Sequence, residues 1–214
     1  MSKIAVIKYN AGNIQSVLFA LERLGKTAVW TDDPDEIRSA DRVIFPGVGE
    51  ASSAMQHLRE RGLDQVIRGL KQPVLGICLG LQLFCRHSAE NDTTCLGIFD
   101  VDVRLFNSGA INLKVPHMGW NTLQTVQGPL FEGITKDDFV YFVHSYYADI
   151  SDNTVASTHY GHPFSAALQR DNFYAVQFHP EKSGAAGQKI LQNFLLTVDG
   201  RRSTVDGAHR SALL

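Results

Sequence analysis

Apolar positions in the first half of the chain switch repeatedly between the strand and helix periods. Residues 3–9 read as a strand, and Ile14, Val17, Leu18, Leu21 and Leu24 then recur at helical spacing until Gly25 stops the helix at its C′ position. Residues 27–30 form a short second strand. Asp33-Pro34-Asp35-Glu36 has the make-up of a helix start, with an acidic N-cap, proline at N1 and a carboxylate at N3. A third strand over 42–45 ends in Pro46-Gly47-Val48-Gly49. Residues 51–70 are helical with a break at Gly62, and the wholly apolar run 74–77 has the look of a strand buried on both faces. Residues 79–87 are apolar nearly all round, as in a buried helix. Strand and helix alternating over short loops predict a parallel sheet covered on both sides.

The second half has a different grain. Runs at 100–106, 139–147, 154–159, 164–169 and 173–178 read as strands, many divided only by turn residues, which predicts antiparallel additions. A last helix is expected over 185–198. The fold class is therefore α/β: three layers, with a central mixed, largely parallel sheet flanked by helices and antiparallel strands added late. One domain over residues 1–198 is expected, followed by a polar, aperiodic tail over 199–214.

Composition narrows the function without naming it. The 214 residues are 44% apolar and 20% charged, with 20 Lys plus Arg against 22 Asp plus Glu and a net charge of −2. That balance does not suit a polycation acting on nucleic acid or anionic lipid. No apolar run is long enough to span a bilayer, and residues 1–8 read as a strand rather than a signal peptide. The three cysteines, Cys78, Cys85 and Cys95, are an odd number and fit a reducing, cytoplasmic compartment.

In open parallel sheets, ligand sites lie beyond the carboxyl ends of the strands. Gly76-Ile77-Cys78-Leu79-Gly80 sits where a buried strand turns into a buried helix, the setting of a nucleophile elbow with Cys in place of Ser. The tight turn pushes the side chain out of the sheet, and the glycines let neighbouring backbone approach. The helix start favours a thiolate, and the N–H of Leu79 can receive a developing oxyanion. Taken alone, Cys78 would be read as a small buried hydrophobe; this context reads it as a nucleophile, whereas Cys85 and Cys95 lack it.

A thiol nucleophile needs a base and the base an orienter. Among eight histidines, His57, His87, His159, His162 and His209 sit in polar or helical surroundings, and His117 and His144 have apolar or aromatic neighbours. The strongest candidate is His179, which ends the run 173–178. Pro180 holds it extended, and Glu181, about 6.6 Å further along, can fix its tautomer. A plain strand exit with a solvated carboxylate is the competing reading. The Gly47–Gly49 loop lacks the Gly-Lys-Ser/Thr of a phosphate loop; it can instead present a second oxyanion donor, the N–H of Val48. Gln82, one turn after Cys78, needs a partner, either substrate or a backbone group. Glu90 suits a substrate ammonium or is an ordinary solvated acid. With no Cys pair to match His159 and His162, no zinc or other metal is expected, and no cofactor.

Pro-Gly-Val-Gly at 46–49, Gly-Ile-Cys-Leu-Gly-Leu-Gln at 76–82 and Gln-Phe-His-Pro-Glu-Lys-Ser at 177–183 resemble the class I glutamine amidotransferases over nearly the whole chain. Tyr-Asn-Ala-Gly-Asn at 9–13, Val-Pro-His-Met-Gly-Trp-Asn at 115–121 and Tyr-Phe-Val-His-Ser-Tyr at 141–146 narrow this to a resemblance to the glutaminase subunits of imidazole glycerol phosphate synthases. The resemblance implies release of ammonia from L-glutamine to a separate (β/α)₈-barrel cyclase in histidine biosynthesis. Gly47, Gly49, Gln82, Glu90, Ser145 and Tyr146 would then lie around bound glutamine. A γ-glutamyl hydrolase, another amidotransferase subunit or a non-catalytic module of the same fold are the alternatives. The first two are opposed by Val48 and by Met118–Asn121, the last by the intact Cys78, His179 and Glu181.

Ammonia released into water at neutral pH is mostly protonated and no longer nucleophilic, so a partner cyclase should cover the mouth of such a site. Asn10, Asn13, Trp120 and Lys182 are placed at or near that interface, the competing readings being a core tryptophan and a solvated lysine.

Overall fold

The computed structural model describes residues 2–9, 14–47, 49–107, 109, 113–198 and 201–202. Its strands are β1 (Ile4–Ile7), β2 (Ala28–Thr31), β3 (Arg42–Phe45), β4 (Val74–Ile77), β5 (His87–Ser88), β6 (Thr93–Thr94), β7 (Asp102–Leu105) and β8 (His117–Thr122). They continue as β9 (Thr125–Val126), β10 (Phe139–His144), β11 (Tyr146–Ala148), β12 (Thr154–Tyr160), β13 (His162–Arg170), β14 (Phe173–Val176), β15 (Thr197–Val198) and β16 (Arg201–Arg202). The helices are α1 (Gln15–Arg23), α2 (Pro34–Arg38), α3 (Ala51–Glu60), α4 (Leu63–Gly69), α5 (Leu79–Phe84) and α6 (Gly184–Leu196).

Among the described residues one mixed sheet runs in the order β2-β1-β3-β4-β14-β13-β11-β7-β5-β6. The run from β2 to β14 is parallel, and β14-β13, β13-β11 and β11-β7 are antiparallel. Strand alternation explains the layers. Ala5 and Ile7 of β1 face one apolar cluster, which includes residues of α2, α3 and α4, while Ile4 and Val6 face the other, with residues of α1 and α6. All four residues of β1 and of β4 are buried, as a central strand covered on both faces requires.

Local chemistry sets the boundaries. The Asp33 carboxylate caps α2 by accepting the N–H groups of Asp35 and Glu36. Gly62, at φ 66°, separates α3 from α4 in a left-handed turn that a side chain would strain.

Three expected elements come out differently. The helix expected over 79–87 ends at Phe84, and His87 lies in β5. Cys85 turns extended, and the carbonyls of Leu83 and Phe84 accept N–H groups from Leu96, Ile98 and Phe99 at 2.8–2.9 Å. The returning chain replaces the next helical turn. The run 139–147 is two strands, not one. β10 pairs with β8 in a separate two-stranded ribbon, and the chain crosses at Ser145 into the main sheet as β11. β8 itself is an element the hydrophobic pattern did not show. The last helix, expected to 198, ends at Leu196, and Thr197–Val198 form β15, which pairs with β16; the expected tail other than 201–202 lies outside the described residues.

Candidate active site

The adjacent parallel strands β3, β4 and β14 all finish at one edge of the sheet, and each delivers a piece of the site. β4 leads into Cys78, whose backbone sits at φ 52° and ψ −105°. A left-handed φ on a non-glycine residue costs about 1–3 kcal/mol and is kept only where the surroundings enforce it. Here the enforcement is close packing. A Cβ on Gly76 would lie 2.7 Å from the Phe84 ring, and one on Gly80 would lie 2.4 Å from the Phe45 carbonyl oxygen. The Cys78 N–H also donates to the Val176 carbonyl at 2.7 Å, tying the turn to β14. The strand-to-helix bend can thus fold tightly against β3 and β14, and the thiol emerges at its apex.

β3 leads into Gly47, which presses on the same turn. A Cβ there would fall 1.7 Å from the Ile77 carbonyl oxygen and 2.4 Å from the Leu79 nitrogen. No other residue fits between the two loops, so Gly47 borders the Leu79 N–H directly. Val48, the expected second donor, lies outside the described residues, as do Asn10 and Asn13.

β14 leads into His179. Its N–H donates to the Tyr141 carbonyl at 2.8 Å, and Ser183 Oγ, 2.7 Å from the His179 carbonyl, accepts the Tyr141 N–H at 2.9 Å. His179 is thereby pinned between the main sheet and the β8–β10 ribbon. Its Nδ1–H donates to Glu181 Oε1 at 2.8 Å, and both side chains are buried. Burial pulls the His179 imidazole down, but hydrogen bonds to Cys78 and Glu181, and their charges, outweigh it and push it up to about 10. Nδ1 is committed to Glu181, so Nε2 is the nitrogen left for sulfur. Glu181 Oε2 is buried with no hydrogen-bond partner among the described residues.

Cys78, Leu79, Gly47, Gly49, Gln82, Glu90, Ser145, Tyr146, His179 and Lys182 share the lining of one cleft of about 390 Å³, a volume suited to a small metabolite. Gln82 has the backbone partner allowed for it, donating through Nε2 to the Tyr146 carbonyl at 2.9 Å. Glu90 is half-buried rather than solvated; one carboxylate oxygen accepts the Ala51 N–H at 2.7 Å. Burial raises its carboxyl, the Ala51 N–H opposes that, and the charge of Glu50 adds to the rise. The Glu90 carboxylate in the cleft lining suits an ammonium group, whereas that of Glu50 caps α3.

Trp120 is not a core residue. It is 55% exposed on the ribbon, edge-on to Tyr141 at 5.8 Å between ring centroids. Cys85 and Cys95 are buried away from the cleft, and burial raises both thiols, Cys95 to about 12. His162, expected at the surface, is half-buried with its ring 5.5 Å from that of Phe106.

The residue that sequence reasoning passed over is Gln177. It is fully buried, and its Nε2 lies 3.6 Å from Cys78 Sγ. The available signal was a polar residue inside the otherwise apolar run 173–178.

A strained cysteine, a histidine–glutamate pair and Gly47 pressed against the Leu79 N–H, gathered at one end of the sheet, are parts that acyl transfer requires. Residues 5–198 match the family described as glutamine amidotransferase class-I, and the chain belongs to that family of enzymes. Within it, the chain is 61% identical over 193 residues to the imidazole glycerol phosphate synthase subunit HisH of Bacteroides fragilis, covering 90% of this chain and 98% of that one. It is 47% identical to the subunit of the same name from Vibrio cholerae, over 90% of this chain and 97% of that one. The fold alone is shared with a putative GMP synthase protein from Thermoplasma acidophilum, with a TM-score of 0.71 and 22% identity over 91% of this chain and 92% of that one.

Proposed function

We propose that this chain is the glutaminase subunit of an imidazole glycerol phosphate synthase, hydrolysing L-glutamine through a thioester on Cys78 and passing the ammonia to a cyclase. The observation that carries the chemistry is the placement of Cys78, at φ 52° on its turn, against a His179 already oriented by Glu181 at 2.8 Å. The raised His179 imidazole favours the imidazolium, the form able to give a proton to the leaving nitrogen.

The thiolate attacks the side-chain amide carbon of glutamine, and the carbonyl oxygen becomes an oxyanion. The N–H of Leu79 receives it, with that of Val48 as the second donor; each aimed donor is worth roughly 3–4 kcal/mol. His179 Nε2 then gives its proton to the departing nitrogen, the C–N bond breaks, and ammonia leaves a glutamyl thioester. Water, deprotonated by the now neutral His179, attacks the thioester, and glutamate leaves with the thiolate restored. Glu181 holds the tautomer and steadies the imidazolium without taking the proton. Gly47, Gly49, Gln82, Ser145 and Tyr146 enclose the substrate, and Glu90 receives its ammonium.

The ribbon supports a partner over the cleft. Met118 (63% exposed), Trp120 and Phe139 (55%) project from it, beside Lys182 at the cleft rim. An apolar, aromatic face of this kind is costly to leave in water and suits a cyclase docking there; Asn10 and Asn13 are assigned to the same interface. The family match over 5–198 supports reading 1–198 as the amidotransferase domain and 199–214 as a tail. No helix among the described residues is long and apolar enough to cross a membrane, and the three free thiols suit the cytoplasm.

The test is glutaminase turnover of the chain alone, with the cyclase, and with the cyclase and its nucleotide substrate. A sharp rise on completing the complex is expected. Full activity in the isolated chain, unaffected by the cyclase and nucleotide, would replace the coupled subunit with a free hydrolase.

A further inference from the structure

From Gln82 in the cleft wall runs a chain of polar side chains whose other members, Gln177, His144, His117 and Asn121, have no part in the reaction above. Gln177 Oε1 accepts from Gln82 Nε2 at 3.2 Å, and the same Gln82 nitrogen donates to the Tyr146 carbonyl at 2.9 Å. That carbonyl also meets His144 Nδ1 at 2.7 Å. His144 Nε2 is 3.1 Å from His117 Nδ1, and His117 Nε2 is 3.5 Å from Asn121 Nδ2.

One atom, the Tyr146 carbonyl oxygen, fixes the direction of both arms that meet at it. A carbonyl oxygen only accepts, so His144 carries its proton on Nδ1 and leaves Nε2 bare. His117 must then donate from Nδ1, which leaves its own Nε2 to accept from Asn121. Burial keeps both imidazoles neutral, pushing His144 down to about 3 and His117 to about 4. On the other side of the carbonyl, Gln82 has its amino group committed to Tyr146 and to Gln177. Gln177 therefore shows its oxygen to Gln82 and its amino group to the sulfur. The flipped amide would set two amino groups against each other and an oxygen against the thiolate.

We propose that Gln177 is a catalytic residue whose side-chain N–H donates to the Cys78 sulfur, that Gln82 and the Tyr146 carbonyl fix its orientation, and that the His144–His117 pair acts as a positioning pair by holding that carbonyl in place. The donor stabilises the thiolate before attack and again when sulfur departs from the glutamyl thioester. His144 also bonds to the carbonyl two residues ahead, across the point where the chain passes from ribbon to sheet, so the same contact shapes the cleft wall at Ser145. This inference rests on Cys78 being the nucleophile.

The test is the pH dependence of iodoacetamide alkylation of Cys78 in the full chain, read by peptide mass spectrometry. Cys85 and Cys95, buried with raised thiols, serve as unreactive references. Gln177→Met keeps the length of the side chain and removes the donor; the midpoint of the profile should move up by about one pH unit. His144→Phe keeps a ring without the N–H and should move it in the same direction by less. His144→Asn, whose amide nitrogen can stand where Nδ1 stood, should restore it. A Gln177→Met profile matching the wild type overturns the donor, and a His144→Phe profile matching it overturns the positioning pair. If Gln177→Met fails to fold, ¹⁵N spectra of the wild-type imidazoles decide. His117 and His144 are both expected as neutral Nδ1–H tautomers, and an Nε2–H form of either overturns the orientation. Failure of the underlying reading is separate, since it would appear as glutamine turnover retained in Cys78→Ala.

Discussion

Replacing Gly47 by alanine should separate transition-state stabilisation from substrate binding. The added Cβ would stand 1.7 Å from the Ile77 carbonyl oxygen and 2.4 Å from the Leu79 nitrogen. Ordinary contact requires the two loops to part by roughly 1.5 Å. Both neighbours are backbone, so no rotamer change can absorb the strain. The methyl also shields the Leu79 N–H from the position an oxyanion would take. Losing one aimed donor lowers turnover by about 10²–10³-fold, and a displacement near 1 Å costs a comparable factor. The assay is steady-state glutamate release in the complex with cyclase and nucleotide, with kcat and KM for glutamine measured separately. A large fall in kcat with KM within a few-fold of wild type is expected. A kcat within threefold of wild type would refute the argument that the Leu79 N–H, guarded by Gly47, stabilises the reaction.

Glu181→Gln keeps an oxygen to accept from His179 Nδ1 but loses the charge, so turnover should fall, and by less than in His179→Ala; equal loss in two folded variants would contradict the orienting role. Cys85→Ala and Cys95→Ala should leave glutaminase turnover near wild type, because both thiols are buried away from the cleft; a loss in either folded variant would count against assigning the chemistry to Cys78. His144, held near 3 against about 6.5 in an unfolded chain, refuses a proton that the unfolded state accepts. Stability therefore falls as pH drops below about 6.5, by about 2 kcal/mol between pH 7 and pH 5 from this residue alone. His144→Phe should flatten the pH dependence of the urea midpoint by that amount, and an unchanged slope would contradict a buried neutral imidazole. Trp120→Ala should weaken the complex with the cyclase at least tenfold in a titration; unchanged affinity would move the docking face elsewhere.

The parallel half of the fold was legible because its signals are local. The capping carboxylate of Asp33, the break at Gly62 and the apolar run of β4 each announce themselves within a few residues. Residues 85–99 were not, because α5 ends where N–H groups of the returning chain satisfy its carbonyls, a contact that leaves no mark on the hydrophobic period. The split at Ser145 was hidden for a similar reason. A nearly continuous apolar and aromatic run passes from β10 into β11 although the two belong to different sheets. In the candidate site, Cys78 was readable from turn chemistry; the His179–Glu181 contact was expected from extended spacing, but Pro180–Lys182 is a 3-10 turn, and that turn brings Glu181 back to the imidazole. Gln177 was not singled out, since a lone polar residue in a buried strand gains meaning only when the fold sets it beside a sulfur.

The claim on which the account turns is that Cys78 attacks glutamine. Its most direct test is glutamate release by Cys78→Ala in the complex with cyclase and nucleotide, with folding verified by circular dichroism. The account predicts turnover at background in a folded variant that still binds the cyclase. Turnover near wild type would contradict it and remove the thioester from the mechanism.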